Sequence, residues 1–158
     1  MKIFLKPLVL SVLGTGLWIL LRTWGLDEYL QGDEGAIASG LVAFLAVAYA
    51  LFAAFLFATV WSQWVAVEEA VRVKDRQKFD LHKDKRIPRT AKALLLLFSF
   101  FLVGAFYLLS FRHLATGGFS IFAVIMVIIT YWQVILDLDD PFTGIWNVEV
   151  PKEWREQK

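Results

Sequence analysis

The chain has 158 residues, of which 58% are hydrophobic and 20% charged, and its formal net charge is +1. This charge gives no general case for nucleic-acid binding, and the absence of cysteine excludes disulfides, thiolate metal sites, iron–sulfur clusters and cysteine nucleophiles. Charged segments separate four uncharged stretches of 15, 33, 19 and 23 residues. Because about 20 apolar helical residues cross a hydrocarbon core of roughly 30 Å, the sequence predicts an all-α membrane protein with four transmembrane helices in a single domain, residues 1–158.

The first helix is predicted over residues 3–24. Lys2 and Lys6 before an apolar run also fit a secretory signal peptide, but no small-x-small cleavage site lies between Leu21 and Asp27. We therefore favour a retained transmembrane helix, and a cleaved signal peptide is the alternative.

The second helix is predicted over residues 36–64 and is too long for the bilayer. Its 33 uncharged residues span about 50 Å at 1.5 Å per residue, so we expect it to extend into the cytoplasm. The opposite-charge pair Glu68 and Arg72, at a spacing of four, favours continued helix, which is expected to reach about Lys78.

One face of this second helix carries candidate pore residues. They recur at spacings of four, four and three and are Phe44, Ala48, Phe52 and Phe55. One interpretation is an aromatic constriction around a central pore. The other is ordinary bundle packing, in which the aromatic rings interdigitate with the alanines around them.

A basic segment, residues 65–91, follows and determines the predicted orientation. Fourteen lysine and arginine residues lie on one side of the predicted membrane and two on the other. The positive-inside rule then places both termini and the basic segment in the cytoplasm. We expect Lys83, Lys85, Arg86 and Arg89 to bind anionic lipid or a cytosolic protein partner. Pro88 marks a helix boundary, with Thr90 as a candidate N-cap.

The third and fourth helices are predicted over residues 92–111 and 114–136. Their short link, from Arg112 to Gly118, predicts a helical hairpin, so the domain consists of two consecutive hairpins followed by a cytoplasmic tail, residues 137–158. In this tail, residues 145–150 alternate loosely and fit a short strand or an extended arm.

The start of the tail is acidic, with Asp137, Asp139 and Asp140 close together. Carboxylates are disfavoured at a helix C-terminus, by roughly 0.3–1 kcal/mol each. Compensation could come from a hard cation such as calcium, from salt bridges to the basic segment, or from solvent, and the sequence leaves these alternatives open. No other metal or cofactor is predicted.

The spans carry no deep ionisable residue, which argues against a pump or an ion-coupled transporter. No nucleophile–base pair, metalloprotease motif or phosphate loop occurs in the sequence. We therefore predict a protein that is not an enzyme.

Two segments, Tyr49–Ala70 and Ile135–Gly144, resemble a bacterial family of bestrophin-like integral membrane proteins. The first resembles the family's helix that runs into an aromatic and polar stretch and then a glutamate–alanine helix. The second contains Asp-Asp-Pro-Phe-Thr-Gly, similar to the acidic-Pro-Phe-x-Gly signature after the family's last membrane helix. Together the two segments cover 32 of the 158 residues.

The resemblance implies a two-plus-two helix arrangement in a bacterial inner membrane, with cytoplasmic termini. Bestrophins proper are pentameric anion channels in which the second membrane helix lines the pore and an acidic cluster binds calcium. By resemblance, the second helix here lines a pore and Asp137, Asp139 and Asp140 lie near the acidic region. The region between the second and third helices is shorter than in the family, so a bestrophin-type cytosolic vestibule is not implied.

Two functions are therefore expected. The first is a small bestrophin-like channel, a homo-oligomer that conducts ions and is anion-selective by resemblance. The alternative is a non-conducting accessory or scaffold subunit that uses its basic loop to bind a partner or anionic lipid.

Overall fold

The structure is a computed structural model that describes residues 2–26, 34–109, 111, 113–142 and 145–155. These residues form helices, turns and irregular segments, and no β-strand occurs among them. The α-helices are α1 (Lys2–Leu21), α2 (Glu34–Arg72), α3 (Arg76–His82), α4 (Arg89–Tyr107), α5 (Leu114–Asp139) and α6 (Lys152–Arg155). The all-α prediction is confirmed for this part of the chain.

Four of the helical segments are long and apolar enough to cross a membrane. They are Leu5–Gly25, Ile37–Arg72, Arg89–Tyr107 and Leu114–Asp139. The shortest has 19 residues, which cover about 29 Å at 1.5 Å per residue. The prediction of four helices that can span a membrane is confirmed.

The helix pairing differs from the predicted order of two consecutive hairpins. α1 packs chiefly against α5, and α2 packs chiefly against α4. The contact between α1 and α5 is close because Gly117 has no side chain: a Cβ there would overlap the ring of Trp18 and lie 2.9 Å from the ring of Phe111. The two-hairpin arrangement is not confirmed by this packing.

The C-terminal part of α1 is fixed to the start of α5 and the end of α4. Trp18 is only 2% exposed, the Tyr107 hydroxyl donates to the Gly14 carbonyl at 2.6 Å, and Arg22 donates to the Phe111 carbonyl at 2.8 Å. Gly117 lies in the first turn of α5 and not in the predicted link. Its lack of a side chain leaves the space that the Trp18 ring occupies.

The second packing layer joins α2, α4 and α5. Tyr49, Ala53, Leu56 and Val60 of α2 lie in one buried cluster with Leu95 of α4 and Ile135 of α5. The Tyr131 hydroxyl of α5 donates to the Ala53 carbonyl at 2.7 Å. This cluster holds the second half of the chain against α2.

The basic segment is helical only in part, and the prediction of helix to about Lys78 is wrong. α2 ends at Arg72, Lys74 has a φ of 56°, and Asp75 caps the short helix α3 by accepting from the Lys78 amide at 3.0 Å. The break turns α3 back, so that Phe79 packs against Val67 and Ala70 near the end of α2.

α4 begins at Arg89, and its N-cap is Pro88, with no side-chain cap. The predicted boundary at Pro88 is confirmed, whereas Thr90 is not the N-cap because it lies inside the first turn. The amides of Ala91 and Lys92 instead donate to the Pro88 carbonyl.

Candidate functional site

The candidate site lies at the end of the bundle where α2 and α5 end and α4 begins. It also includes α3, the turn at residues 83–88 and a C-terminal arm, residues 145–155. We call this region the basic end. Asp139 holds it together, because this carboxylate is only 5% exposed and accepts from the Ile87 amide at 2.6 Å and the Lys92 ammonium at 2.5 Å. The start of α4 is thereby fixed to the end of α5.

The other two aspartates have separate partners. Asp140 accepts from Arg86 at 3.1 Å and from the Phe142 amide at 3.3 Å. Asp137 accepts from the amides of Ile145 and Trp146 at 3.1–3.3 Å and so fixes the start of the arm. The pair of Asp140 with Arg86 is the contact expected of the salt-bridge alternative, whereas Lys92, the ion partner of Asp139, lies outside the predicted basic segment, residues 65–91.

The predicted cation site is not assembled by these contacts. Among the described residues, no group of three or more His, Cys, Asp or Glu side chains is arranged to hold a metal ion. Calcium binding by Asp137, Asp139 and Asp140 stays a prediction.

Three tryptophans dock the C-terminal arm on α2. The Trp64 indole donates to the Trp146 carbonyl at 2.7 Å, and the ring centroids of Trp61 and Trp64 are 5.5 Å apart. The ring of Trp146 contacts both, edge on. Because tryptophan prefers the headgroup level of a bilayer, this cluster indicates where the membrane surface crosses α2.

Beside this cluster, α3 and the arm enclose a partly open pocket of about 570 Å³, which we call the interface pocket. Its polar side carries three cations and two carboxylates: Arg76, Lys83, Arg86, Asp80 and Asp84. Its volume lies within the range of roughly 300–1,000 Å³ that is usual for small-molecule sites.

The apolar floor of the pocket is aromatic. Phe79 contacts the rings of Phe142 and Trp154, with centroid distances of 5.8 and 5.1 Å, and Val148 and Val150 complete the lining. Lys83 and Arg86 lie 6.0 Å from the ring centroids of Phe79 and Phe142, respectively. These cation–π contacts keep both charges over the floor.

The ion pairs at the pocket are exposed. Asp80 accepts from Lys83 at 2.6 Å and lies 3.8 Å from Arg76, so one carboxylate serves two cations. The hydrogen bond from Lys83 lowers the pKa of Asp80 below its ordinary value, and the same bond raises the pKa of Lys83.

The structure brings together two of the four predicted lipid- or partner-binding residues. Lys83 and Arg86 line the interface pocket, whereas Lys85 and Arg89 are exposed outside it. Sequence reasoning missed the aromatic floor. The available signal was Phe79, an aromatic residue within a highly charged run of sequence.

The candidate pore residues do not share one environment. Phe44 and Phe55 are 70% and 66% exposed on the surface of the chain. Ala48 is half-buried, and Phe52 is half-buried against Phe98, at a centroid distance of 5.8 Å. The predicted stripe is therefore divided between an outward face and an internal contact.

The four apolar helices and the polar basic end define a multi-pass α-helical membrane protein. Comparison with protein-family models, curated proteins and solved structures gives no match for this chain. The resemblance to bestrophin-like proteins therefore stays a prediction.

Proposed function

We propose that the protein is a non-conducting membrane subunit that uses its basic end, on the cytoplasmic side of a bacterial inner membrane, to bind an anionic cytosolic partner or anionic lipid. The observation that carries this proposal is the exposure of the cations. Nine basic residues stand against five acidic ones between Gln63 and Lys92, and Lys85, Arg86 and Arg89 remain exposed. Each such cation near an anionic surface favours binding by about 1 kcal/mol.

The length of α2 supports this placement of the basic end. Its 39 residues extend over about 58 Å, whereas the hydrocarbon core is roughly 30 Å thick. With the tryptophan cluster at the membrane surface, the last turns of α2 and the helix α3 lie beyond the hydrocarbon core, on the cytoplasmic side.

Single-cysteine labelling tests the orientation, because the chain has no cysteine of its own. In intact cells, a membrane-impermeant maleimide should label His113→Cys, at the opposite end of the bundle, and leave Lys85→Cys unlabelled until the inner membrane is permeabilised. Labelling of Lys85→Cys from the periplasm would contradict the proposed topology.

Charge neutralisation tests the binding role. Lys85 and Arg89 are the suitable positions because they lie outside the interface pocket and form no ion pair with a described carboxylate. The double variant Lys85→Gln, Arg89→Gln should lower the affinity for the bound partner or anionic lipid about thirtyfold, if each charge contributes about 1 kcal/mol. Lys6→Gln removes an exposed cation of α1, outside the basic end, and is the control for recovery of a cytosolic partner. Recovery from the double variant equal to that from wild type would contradict the proposal.

A bestrophin-like ion channel is the second candidate function. The observation that favours it is the outward position of Phe44 and Phe55, which are three helical turns apart and therefore share one face of α2. In a homo-oligomer, this face could surround a central axis and form an apolar constriction.

Crosslinking and flux separate the two candidates. A channel requires that Phe44→Cys form symmetric crosslinks between copies and that liposomes containing the protein pass chloride or potassium, at a rate altered by Phe55→Ala. Phe100→Cys, on α4 and 73% exposed, is the control for random collisions. Liposomes that stay tight would exclude the channel and support the non-conducting role.

A further inference from the structure

We propose that the interface pocket binds the headgroup of a phosphoethanolamine lipid, with the phosphate against its cations and the ammonium against Asp84. This goes beyond the proposed function, which concerns general attraction of anions by the exposed charges of the basic end. The pocket adds a single site with a defined ligand chemistry.

The first support is the mixed charge of the lining. Arg76, Lys83 and Arg86 share the cavity with two carboxylates. Asp84 forms no hydrogen bond or close ion pair with the residues that the structure describes, and its charge helps to raise the pKa of the neighbouring Lys83. A ligand that is only anionic would leave this carboxylate facing like charge, whereas a headgroup with a phosphate and a primary ammonium matches both signs.

The second support is the depth of the pocket relative to the tryptophan cluster. Its floor residues Phe79 and Val148 pack against Val67 and Ala70 of α2. These lie three and six residues beyond Trp64, or about 5–9 Å further along the helix axis. The headgroup layer on each side of the hydrocarbon is about 5–8 Å thick, so a lipid headgroup reaches this level.

The third support is the apolar floor, which favours a lipid over a soluble phosphorylated compound. Trp64 and Phe142 pack on the same buried cluster as Phe79 and Val148, and Phe142, Val150 and Trp154 are only partly buried where they line the pocket. The glycerol and first methylenes of a lipid would cover this surface. A small soluble ion would leave it in water.

The existing ion pairs do not prevent phosphate binding. Asp80 is shared by Lys83 and Arg76, and the side chains of this carboxylate and of Lys83 are 46% and 38% exposed. Exposed ion pairs contribute little to stability, so a phosphate that accepts charge-assisted hydrogen bonds can compete for both cations.

Native mass spectrometry of the full chain in detergent, with added short-chain phosphatidylethanolamine, phosphatidylglycerol or phosphatidylcholine, tests the proposal. We expect one saturable phosphatidylethanolamine per chain, bound about tenfold more tightly than the other two lipids, as one charge-assisted hydrogen bond to Asp84 would give. Asp84→Asn should abolish this preference, whereas Glu149→Gln, which removes an exposed carboxylate outside the pocket, should keep it.

Lys83→Gln should weaken phosphatidylethanolamine binding about tenfold, whereas Lys85→Gln, the neighbouring cation outside the pocket, should leave binding of this zwitterionic lipid unchanged. Equal binding of the three lipids by wild type, or a preference that survives Asp84→Asn, would overturn the proposal. Displacement of the lipid by an equal concentration of free phosphoethanolamine would also overturn it, because it would show a site for soluble ligands. The proposed function is tested separately, by neutralising Lys85 and Arg89 outside the pocket. Failure of the lipid proposal would therefore leave the proposed function standing.

Discussion

The two ends of the helix bundle are held together by different chemistry. At the end opposite the basic segment, α1 and α5 meet through shape: the Trp18 ring occupies the space that Gly117 leaves open. At the basic end, α4 and α5 meet through the Asp139 carboxylate, which accepts one backbone and one side-chain hydrogen bond.

The difference follows from what each environment offers. Within lipid, apolar side chains gain little by leaving the hydrocarbon, so helices associate where small residues allow close packing. Near the aqueous boundary, a buried carboxylate is tolerated when a cation and a backbone amide satisfy it. Four substitutions, taken from the largest expected effect to the smallest, probe this contrast.

Loss of the Asp139 charge should have the largest effect. Asp139→Asn leaves the Lys92 ammonium without its partner in a partly buried position, so we expect the free energy of unfolding to fall by about 3 kcal/mol. Asp140→Asn breaks the exposed pair with Arg86 and should cost at most about 1 kcal/mol. Thermal unfolding of both variants in one detergent gives the comparison, and equal losses would show that burial is not the deciding factor.

The packing of α1 on α5 comes next. Gly117→Ala places a Cβ against the rings of Trp18 and Phe111, so we expect a loss of about 2 kcal/mol from overpacking. Gly118→Ala is the matched control, since its Cβ would lie 3.7 Å from the Thr15 methyl group, an ordinary contact. If both alanines lowered the unfolding midpoint equally, close packing at Gly117 would not be the cause.

The arm contact is smaller. Trp64→Phe keeps a ring against Trp61 but removes the hydrogen bond to the Trp146 carbonyl, which is worth about 1 kcal/mol. We expect a lower unfolding midpoint and faster tryptic cleavage within the arm. Trp61→Phe retains that hydrogen bond and should leave tryptic cleavage unchanged. Faster cleavage in this variant would show that ring contacts, and not the hydrogen bond, hold the arm on α2.

The exposed pair of Asp80 and Lys83 should have the smallest effect, and it depends on pH. The pKa of Asp80 is lowered in the folded protein from the ordinary value of 3.8, so its stabilisation is present above that value and is lost as pH falls through the folded-state pKa. The difference in thermal midpoint between wild type and Asp80→Asn should therefore shrink on acidification. A difference in thermal midpoint that is the same above and below the pKa of Asp80 would contradict a stabilising ion pair between Asp80 and Lys83.

The four membrane-spanning helices could be predicted from the sequence because length and the absence of charge are enough to define them. The pairing of the helices could not, since it depends on how Trp18 fits beside Gly117, two residues that are distant in sequence. The predicted link between the last two helices counted Gly117 as a turn residue, although the glycine is required by packing.

The candidate site was predictable only in its charges. Lys83 and Arg86 stand out in the sequence, but their pocket exists because Lys74 breaks the helix and Asp75 caps a new one. The sequence favoured continued helix there through its charge spacing, and the packing of Phe79 onto the end of α2 outweighed a few tenths of a kcal/mol per pair. The sequence likewise gives no basis for distinguishing Asp137, Asp139 and Asp140, because each has a different partner that is determined by the packing of the helices and the arm.

The pairing of α1 with α5 also has a consequence for biosynthesis. Ribosomes add about 5–20 residues per second, so α1 leaves the ribosome on the order of ten seconds before Gly117 is made. During that interval the first helix has not met its main partner, and the translocon, surrounding lipid or another protein must accommodate it. The contact between α1 and α5 can therefore form only after the last span has been made.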